Sequence, residues 1–237
     1  MELLITDSAI LVETLRCLGR LLLYIIPCVF ILLPIRFCTK LPSFIFRKLL
    51  HIVAFTSFAV MLLTAESWQA AALTSVIIAV FIYPLLALLE NKSWYARLFV
   101  QKSPGEVKRS LIMLFFMFAA VIAVACGAFG KPHAAAAAIL MWGEGDAAAA
   151  LVGIPFGKHK VMLRPVNGRK SLEGSCAMLV VSFLTGFCLL RLYYGYSASL
   201  SALLGAAVGT GAELFSDSEW DTVTVPVAIL AVMLFML

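Results

Sequence analysis

Two carboxylates interrupt an otherwise apolar run, AAAAAILMWGEGDAAAALVG at residues 134–153, and few positions in the chain are better suited to chemistry. An ionisable side chain at the centre of a membrane helix costs roughly 2.5–3.5 kcal/mol on insertion scales, so Glu144 and Asp146 are functional candidates by default. A helix beginning near His133 puts Asp146 about 20 Å along its axis at 1.5 Å per residue. In a hydrocarbon core of about 30 Å, both carboxylates then sit below the interface, in the third nearest the following loop. Gly143 and Gly145 flank Glu144 and would let the helix unwind there, freeing backbone groups around a ligand. A loop at the membrane surface is the competing reading; the buried site is preferred.

The next stretch, GIPFGKHKVMLRPVNGRKSLEGS at 153–175, is the most basic part of the chain. Gly153 and Gly157 allow close backbone approach, and Lys158, Lys160, Arg169 and Lys170 supply charge suited to phosphate. Ser171 can cap the following helix, whose first N–H groups and dipole favour an anion, with Lys170 beside it as a natural phosphate partner. Glu173 is either a first-turn carboxylate facing its own helix dipole, the safer choice, or a metal ligand. A P-loop needs four residues between its glycines and Ser or Thr after the Lys; here three residues separate the glycines and His159 follows Lys158, so it is excluded. Gly143 and Gly145 lie in an apolar helix rather than after a strand, which excludes a dinucleotide fingerprint.

Two further clusters follow. In GAELFSDSEWDTVTVP at 211–226, Glu213, Asp217 and Asp221 recur every four residues, with Glu219 between. Alone, this reads as a solvated acidic turn. Opposite a basic, glycine-rich loop it equally suits Mg²⁺ held between carboxylates and phosphate oxygens. In FRKLLHIVAF at 46–55, Arg47 and His51 share a helix face. Snorkelling cations at a span end explain Arg47 and Lys48, but His51, one turn deeper, needs a partner.

The elements that position these residues follow from composition. Of 237 residues, 63% are hydrophobic and 13% charged, against roughly 45–50% and 25% in soluble domains. Lipid is the solvent this composition suits. A span needs about 20 mostly apolar residues, and the candidates are 17–35, 49–65, 69–89, 110–130, 133–152, 175–195, 198–215 and 222–237. The expected fold is therefore an all-α membrane protein, a polytopic bundle of seven or eight transmembrane helices, with 1–237 as a single unit. Eight is the preferred count; seven is the alternative, because the last segment is short and the first contains Arg16 and Arg20. Acidic residues precede the first apolar run and no small-residue cleavage pattern follows it, so no removable signal peptide is expected.

Loops 36–48, 91–109 and 152–174 hold fourteen of the eighteen Lys and Arg residues. By the positive-inside rule these loops are cytoplasmic and, with an even span count, both termini are outside. Loop 91–109 does no more than set topology. The six cysteines show no CxxC spacing and mostly fall in apolar spans, so they read as small buried hydrophobes rather than metal ligands or disulfides. No internal repeat, long linker or soluble domain is evident.

In this order the four clusters resemble the family of dolichol kinase, phytol kinase and CTP-dependent diacylglycerol kinase. The matching residues are Arg47, Lys48 and His51 for its R-K-x-x-H element; Glu144, Asp146 and Ala149 with Gly153 and Gly157 for its acidic run; Lys170, Ser171, Glu173 and Gly174 for its K-S-x-E-G loop; and Asp221 with Pro226 for its terminal D-N-x-x-x-P element. The resemblance covers about 40–230. Thr222 replaces the family's Asn, and the Gly-Glu-Gly-Asp order leaves both Glu144 and Asp146 eligible for its aspartate, alignment favouring Asp146. Segment 146–174 also resembles the CTP-binding region of phosphatidate cytidylyltransferases. Their C-terminal signature, rich in Lys, Asp, His and Gly, has no counterpart in 205–237, which contains no Lys, Arg or His. That difference favours the kinase.

The resemblance implies an enzyme moving the terminal phosphate of CTP, or another nucleoside triphosphate, to an isoprenoid alcohol or diacylglycerol, with Mg²⁺ as cofactor. Arg47, Lys48 and the basic loop would hold the nucleotide. Asp146, Asp221 and either Glu213 or Asp217 would bind metal, and Asp146, Glu144 or His51 would take the hydroxyl proton. The expected partners are a lipid alcohol, a nucleotide and the bilayer, with no nucleic acid. The site would face the cytoplasm from the cell membrane of a prokaryote or an endomembrane of a eukaryote. A cytidylyltransferase making a CDP-lipid is the alternative. A non-catalytic anion transporter, suggested by a broken helix near Gly143 and the Gly205–Gly209 spacing, comes third.

Overall fold

The computed structural model describes residues 2–39, 41–90, 92, 95, 105–162, 168–216 and 220–237. Among them are eight α-helices: α1 (Glu2–Cys38), α2 (Ser43–Thr64), α3 (Trp68–Leu89), α4 (Glu106–Ile122), α5 (Pro132–Phe156), α6 (Leu172–Tyr194), α7 (Ser199–Phe215) and α8 (Asp221–Met236). A π-helical turn, Ala123–Ala128, prolongs α4. Among the described residues, six helical stretches are long and apolar enough to cross a membrane. The last of these, Leu172–Phe215, contains both α6 and α7, and α8 is a shorter apolar helix. Gly195 closes α6 at φ 68°, a left-handed conformation that costs glycine little, and α7 returns against α6. The result is an all-α polytopic bundle whose helices follow the eight expected apolar segments.

α5 is the central helix, packed most extensively against α6 and α2 and also against α8. Ala134 to Ala138 are all fully buried. Small side chains let neighbouring backbones approach closely where lipid offers no hydrophobic drive for association. Ser182 Oγ on α6 donates to the Met141 carbonyl at 2.7 Å. On the α2 side, Phe55 packs edge-on to Trp142 (4.7 Å between ring centroids) and to Phe118 of α4 (4.9 Å). Phe55, Phe58 and Phe118 are completely buried.

The expected unwinding at Gly143 and Gly145 does not occur: α5 is continuous from Pro132 to Phe156. The glycines serve packing instead. A Cβ at Gly143 would run into the Phe55 ring, and one at Gly145 would collide with Ser182 Oγ and lie 3.1 Å from Met178 Cγ. α5 also outlasts the expected span, so the basic connection begins at Gly157 rather than 152. α2 begins at Ser43 after Pro42, which places Arg47 and Lys48 in its first turns rather than in a loop.

Contacts between helix ends fix the alternation. At one end Lys131 Nζ donates to the Leu234 carbonyl at 2.8 Å. Arg20, bonded to Glu13 at 3.0 Å, reaches the Thr64 carbonyl at 2.7 Å. At the other end Lys170 meets Glu213 at 2.9 Å and Ser216 meets Thr224 at 2.6 Å. Glu90 ties the ends of α3 and α4 together there through Lys108 and the Gly105 N–H. Lys48, Lys108, Lys158 and Lys170 thus share one end, as the one-sided charge of their segments required. α1 spans 37 residues, about 55 Å of helix, and Glu13 stands level with the α2–α3 turn, so its first residues extend past that turn.

Replacing Gly143 with Ala should destabilise the protein by about 1–3 kcal/mol, the usual cost of overpacking a tight contact. Thermal or denaturant unfolding in detergent would register this, and pairing it with Phe55→Leu should recover part of the loss.

Candidate functional site

α2, α5 and the facing ends of α6, α7 and α8 bring the sequence clusters together. Lys48 Nζ donates to Asp146 Oδ2 at 2.6 Å, and His51 Nε2 lies 3.2 Å from the same oxygen. The buried Nε2 makes no hydrogen bond in that position, so the carboxylate is near His51 without being hydrogen-bonded to it. Its ring stacks on Phe55 at 4.2 Å, one turn further along α2. Helical spacing explains the set: Lys48, His51 and Phe55 recur three and four residues apart and share one face. Lys48, rather than Arg47, is thus the cation that joins His51 on the carboxylate. Arg47 is exposed, yet its charge acts on both Asp146 and His51.

Glu144 is held differently. Its Oε1 accepts a bond from Thr56 Oγ1 at 2.8 Å. Two residues apart on one helix, the two carboxylates leave the axis about 200° apart, and both still reach α2. Sequence reading did not single out Thr56. It lies five residues beyond His51, off the Lys48–His51–Phe55 face, and no periodic pattern marks it.

The third carboxylate group sits where α7 ends and α8 begins. Glu213 Oε1 pairs with Lys170 Nζ at 2.9 Å, and that ammonium also reaches the Glu213 carbonyl. Asp221 opens α8, and the Thr222 hydroxyl that replaces the resembled family's amide donates to it at 3.4 Å. The charges of Asp146, Lys170, Glu213 and Lys48 all act on Asp221, which places the three acids and two lysines in one electrostatic neighbourhood. Among the described residues no Lys, Arg or His comes within ion-pair distance of Asp221. Asp217 and Glu219 lie outside the described residues.

Ser171 caps α6 as expected, accepting from the Gly174 N–H at 3.2 Å. The nearby glycines bring helix against helix. A Cβ at Gly157 would stand 2.5 Å from Ser171 Oγ, and one at Gly174 would stand 2.9 Å from the Ala149 carbonyl oxygen. Gly153 is also tight, 3.1 Å from Ser171 Oγ. These glycines seat the start of α6 on the last turns of α5, and so aim Lys170 at the carboxylates.

The described arms of the basic connection, 157–162 and 168–171, pair as a hairpin. Val161 N–H donates to Lys170 O at 3.0 Å, Leu172 N–H to His159 O at 3.0 Å, and Gly168 N–H to Val161 O at 2.9 Å. Glu173 does more than face its own dipole: it is engaged by protein groups. Its carboxylate accepts from the N–H groups of Lys158 (3.1 Å) and His159 (3.2 Å) and meets the His159 ring at 2.8 Å. Lys158, Lys160 and Arg169 line this hairpin, and the Lys158 and Lys160 side chains are exposed, while Lys170 is turned inward. Among the described residues no three His, Cys, Asp or Glu side chains converge as a ready metal cage.

The fold and site together define a polytopic helical membrane protein with carboxylates and lysines gathered at one end of the bundle, beside a basic hairpin. Over 99 residues the chain is 36% identical to a phytol kinase of Synechocystis sp.. The match covers 41% of this chain and 42% of that relative, and it agrees with the kinase resemblance drawn from the four ordered motifs. No protein-family profile matches the chain, and no solved structure matches it.

Replacing Glu173 with Gln should weaken the clamp on the hairpin, because charge-assisted bonds to N–H groups are stronger than neutral ones. Amide exchange at Lys158 and His159 should accelerate about tenfold, while amides in the middle of α5 keep their protection.

Proposed function

We propose that the protein transfers the terminal phosphoryl group of a nucleoside triphosphate to the hydroxyl of a long-chain lipid alcohol. The observation that carries this is the convergence of Lys48–Asp146–His51, Lys170–Glu213 and Asp221 at one end of the bundle, next to the exposed lysines of the hairpin. Phosphoryl transfer asks little covalent chemistry of a protein and much positioning and charge neutralisation, which is what this residue set can offer. An isoprenoid alcohol of the phytol type is the substrate class suggested by the relative's name, and CTP is the donor implied by the family resemblance. The basic end faces the cytoplasm on this reading, following the positive-inside rule.

Lys158, Lys160 and Arg169 on the hairpin, with Lys170 and Arg47, would bind the phosphates. Mg²⁺ fits the donor set. It is bound through one or two carboxylates plus phosphate oxygens and water rather than by an all-protein cage, and Asp146, Asp221 and Glu213 are available without forming a cage of their own. Bound there, it would neutralise charge on the transferred group. Lys48 holds the Asp146 carboxylate from α2, and the α5–α6 glycine contacts seat the start of α6, with Lys170 paired to Glu213, against the end of α5. The continuous α5 removes the broken helix on which a transporter reading rested, and the lack of basic residues in 205–237 disfavours a cytidylyltransferase.

Purified protein given labelled CTP or ATP, Mg²⁺ and a panel of long-chain alcohols should release the nucleoside diphosphate and form a lipid monophosphate. Asp146→Asn should lower turnover by at least about 1,000-fold, as expected for losing a main electrostatic group, while the variant still elutes as folded protein. Pyrophosphate release with a CDP-lipid product, or normal turnover by Asp146→Asn, would refute this reading.

A further inference from the structure

The two carboxylates of α5 have unlike surroundings, and the difference bears on their roles. Asp146 is engaged by a cation: Lys48 holds Oδ2 at 2.6 Å, and the His51 ring stands 3.2 Å from the same oxygen. Oδ2 of Asp146 is thus already taken up by an ammonium donor. Glu144 has no basic group within ion-pair distance among the described residues. Its one side-chain partner is the neutral Thr56 hydroxyl at 2.8 Å.

Depth separates them as well. α5 runs toward the basic end, so Glu144 lies two residues, about 3 Å, further into the membrane than Asp146. Thr56 lies eight residues past Lys48 on α2, about 12 Å deeper than that lysine. Thr56 is exposed and Glu144 half-exposed, whereas Phe55, Trp142 and Phe118 beside them are buried aromatics. The Thr56–Glu144 pair is therefore the polar pair that an amphiphile reaching the α2–α5 seam from the hydrocarbon side meets before the Lys48–Asp146–His51 cluster. The exposed hairpin lysines of the proposed function, Lys158 and Lys160, follow the end of α5 and so lie further toward the head-group end than Asp146.

We infer that Thr56 and Glu144 form the hydroxyl subsite for the lipid alcohol, with Glu144 as its proton acceptor and Thr56 as a positioning residue. This rests on the phosphoryl-transfer reading above and assigns its acceptor half. In the step, the alcohol oxygen forms a bond to the terminal phosphorus of the nucleoside triphosphate. The bond from that phosphorus to its bridging oxygen breaks, and the electron pair leaves with the nucleoside diphosphate. The alcohol proton passes to a Glu144 carboxylate oxygen. The Thr56 hydroxyl donates to the same carboxylate and keeps it turned toward the α2–α5 seam.

The test uses the full chain in nanodiscs with CTP or ATP, Mg²⁺ and phytol. Glu144→Gln should lower kcat by at least about 100-fold, the lower end of general-base contributions, with KM for the nucleotide and the melting temperature close to wild type. Thr56→Val should raise KM for the alcohol several-fold and lower kcat about tenfold, and Thr56→Ser should restore both. A Glu144→Gln enzyme retaining a third or more of its kcat overturns the assignment, as does loss of nucleotide affinity in step with kcat. A Thr56→Ser variant as impaired as Thr56→Val overturns the positioning role. Absence of transfer by the wild-type protein to any alcohol overturns the underlying kinase reading, whereas wild-type transfer with an active Glu144→Gln overturns only the acceptor assignment.

Discussion

The contact among Lys48, Asp146 and His51 is the constraint from which the rest of the site follows. A carboxylate partway down a membrane helix is tolerable when it is paired, because a lone charge in low dielectric costs several kcal/mol. Lys48 at 2.6 Å meets that requirement, with the His51 ring 3.2 Å from the same oxygen, and both come from α2. The charge thereby fixes which face of α2 meets α5 and in what register. The aromatic residues beneath the pair hold the same register by packing, with Phe55 locked between the His51 ring and Trp142.

Once that seam is set, small residues decide how closely the remaining helices can come. Gly145 admits Ser182 and Met178 of α6, while Gly153, Gly157 and Gly174 let α6 begin in close contact with the end of α5. The consequence is electrostatic. Lys170, one residue before the Ser171 cap, is delivered to Glu213 at the end of α7, and Asp221 follows at the start of α8. Glu173, the second residue of α6, turns back to clamp the hairpin. One helix start thus anchors an inward lysine and an outward basic loop together.

Charge is distributed unevenly within this assembly. Asp146 and Glu213 each have a lysine, Glu144 has a hydroxyl, and Asp221 has the neighbouring Thr222 hydroxyl with two acids and two lysines acting at longer range. Carboxylates at one end of the bundle thus differ in the groups that hold them.

Much of this was legible in the sequence, because local rules carried it. The apolar segments, the one-sided lysines and arginines, the Ser171 cap and the need of His51 for a partner follow from hydropathy and helical periodicity, which neighbours do not override. The residue order of the four clusters likewise resembles that of a lipid-alcohol kinase family. The tertiary structure decided what depends on side chains arriving from elsewhere. Gly143 and Gly145 read as places to unwind, since glycine lowers helix propensity. They are packing points because Phe55 and Ser182 fill the space a Cβ would take. Glu173 read as a cap or a ligand and is a loop clamp because the hairpin folds back over it. Thr56 carried no signal, because a hydroxyl acquires a role only when another helix sets a carboxylate 2.8 Å away.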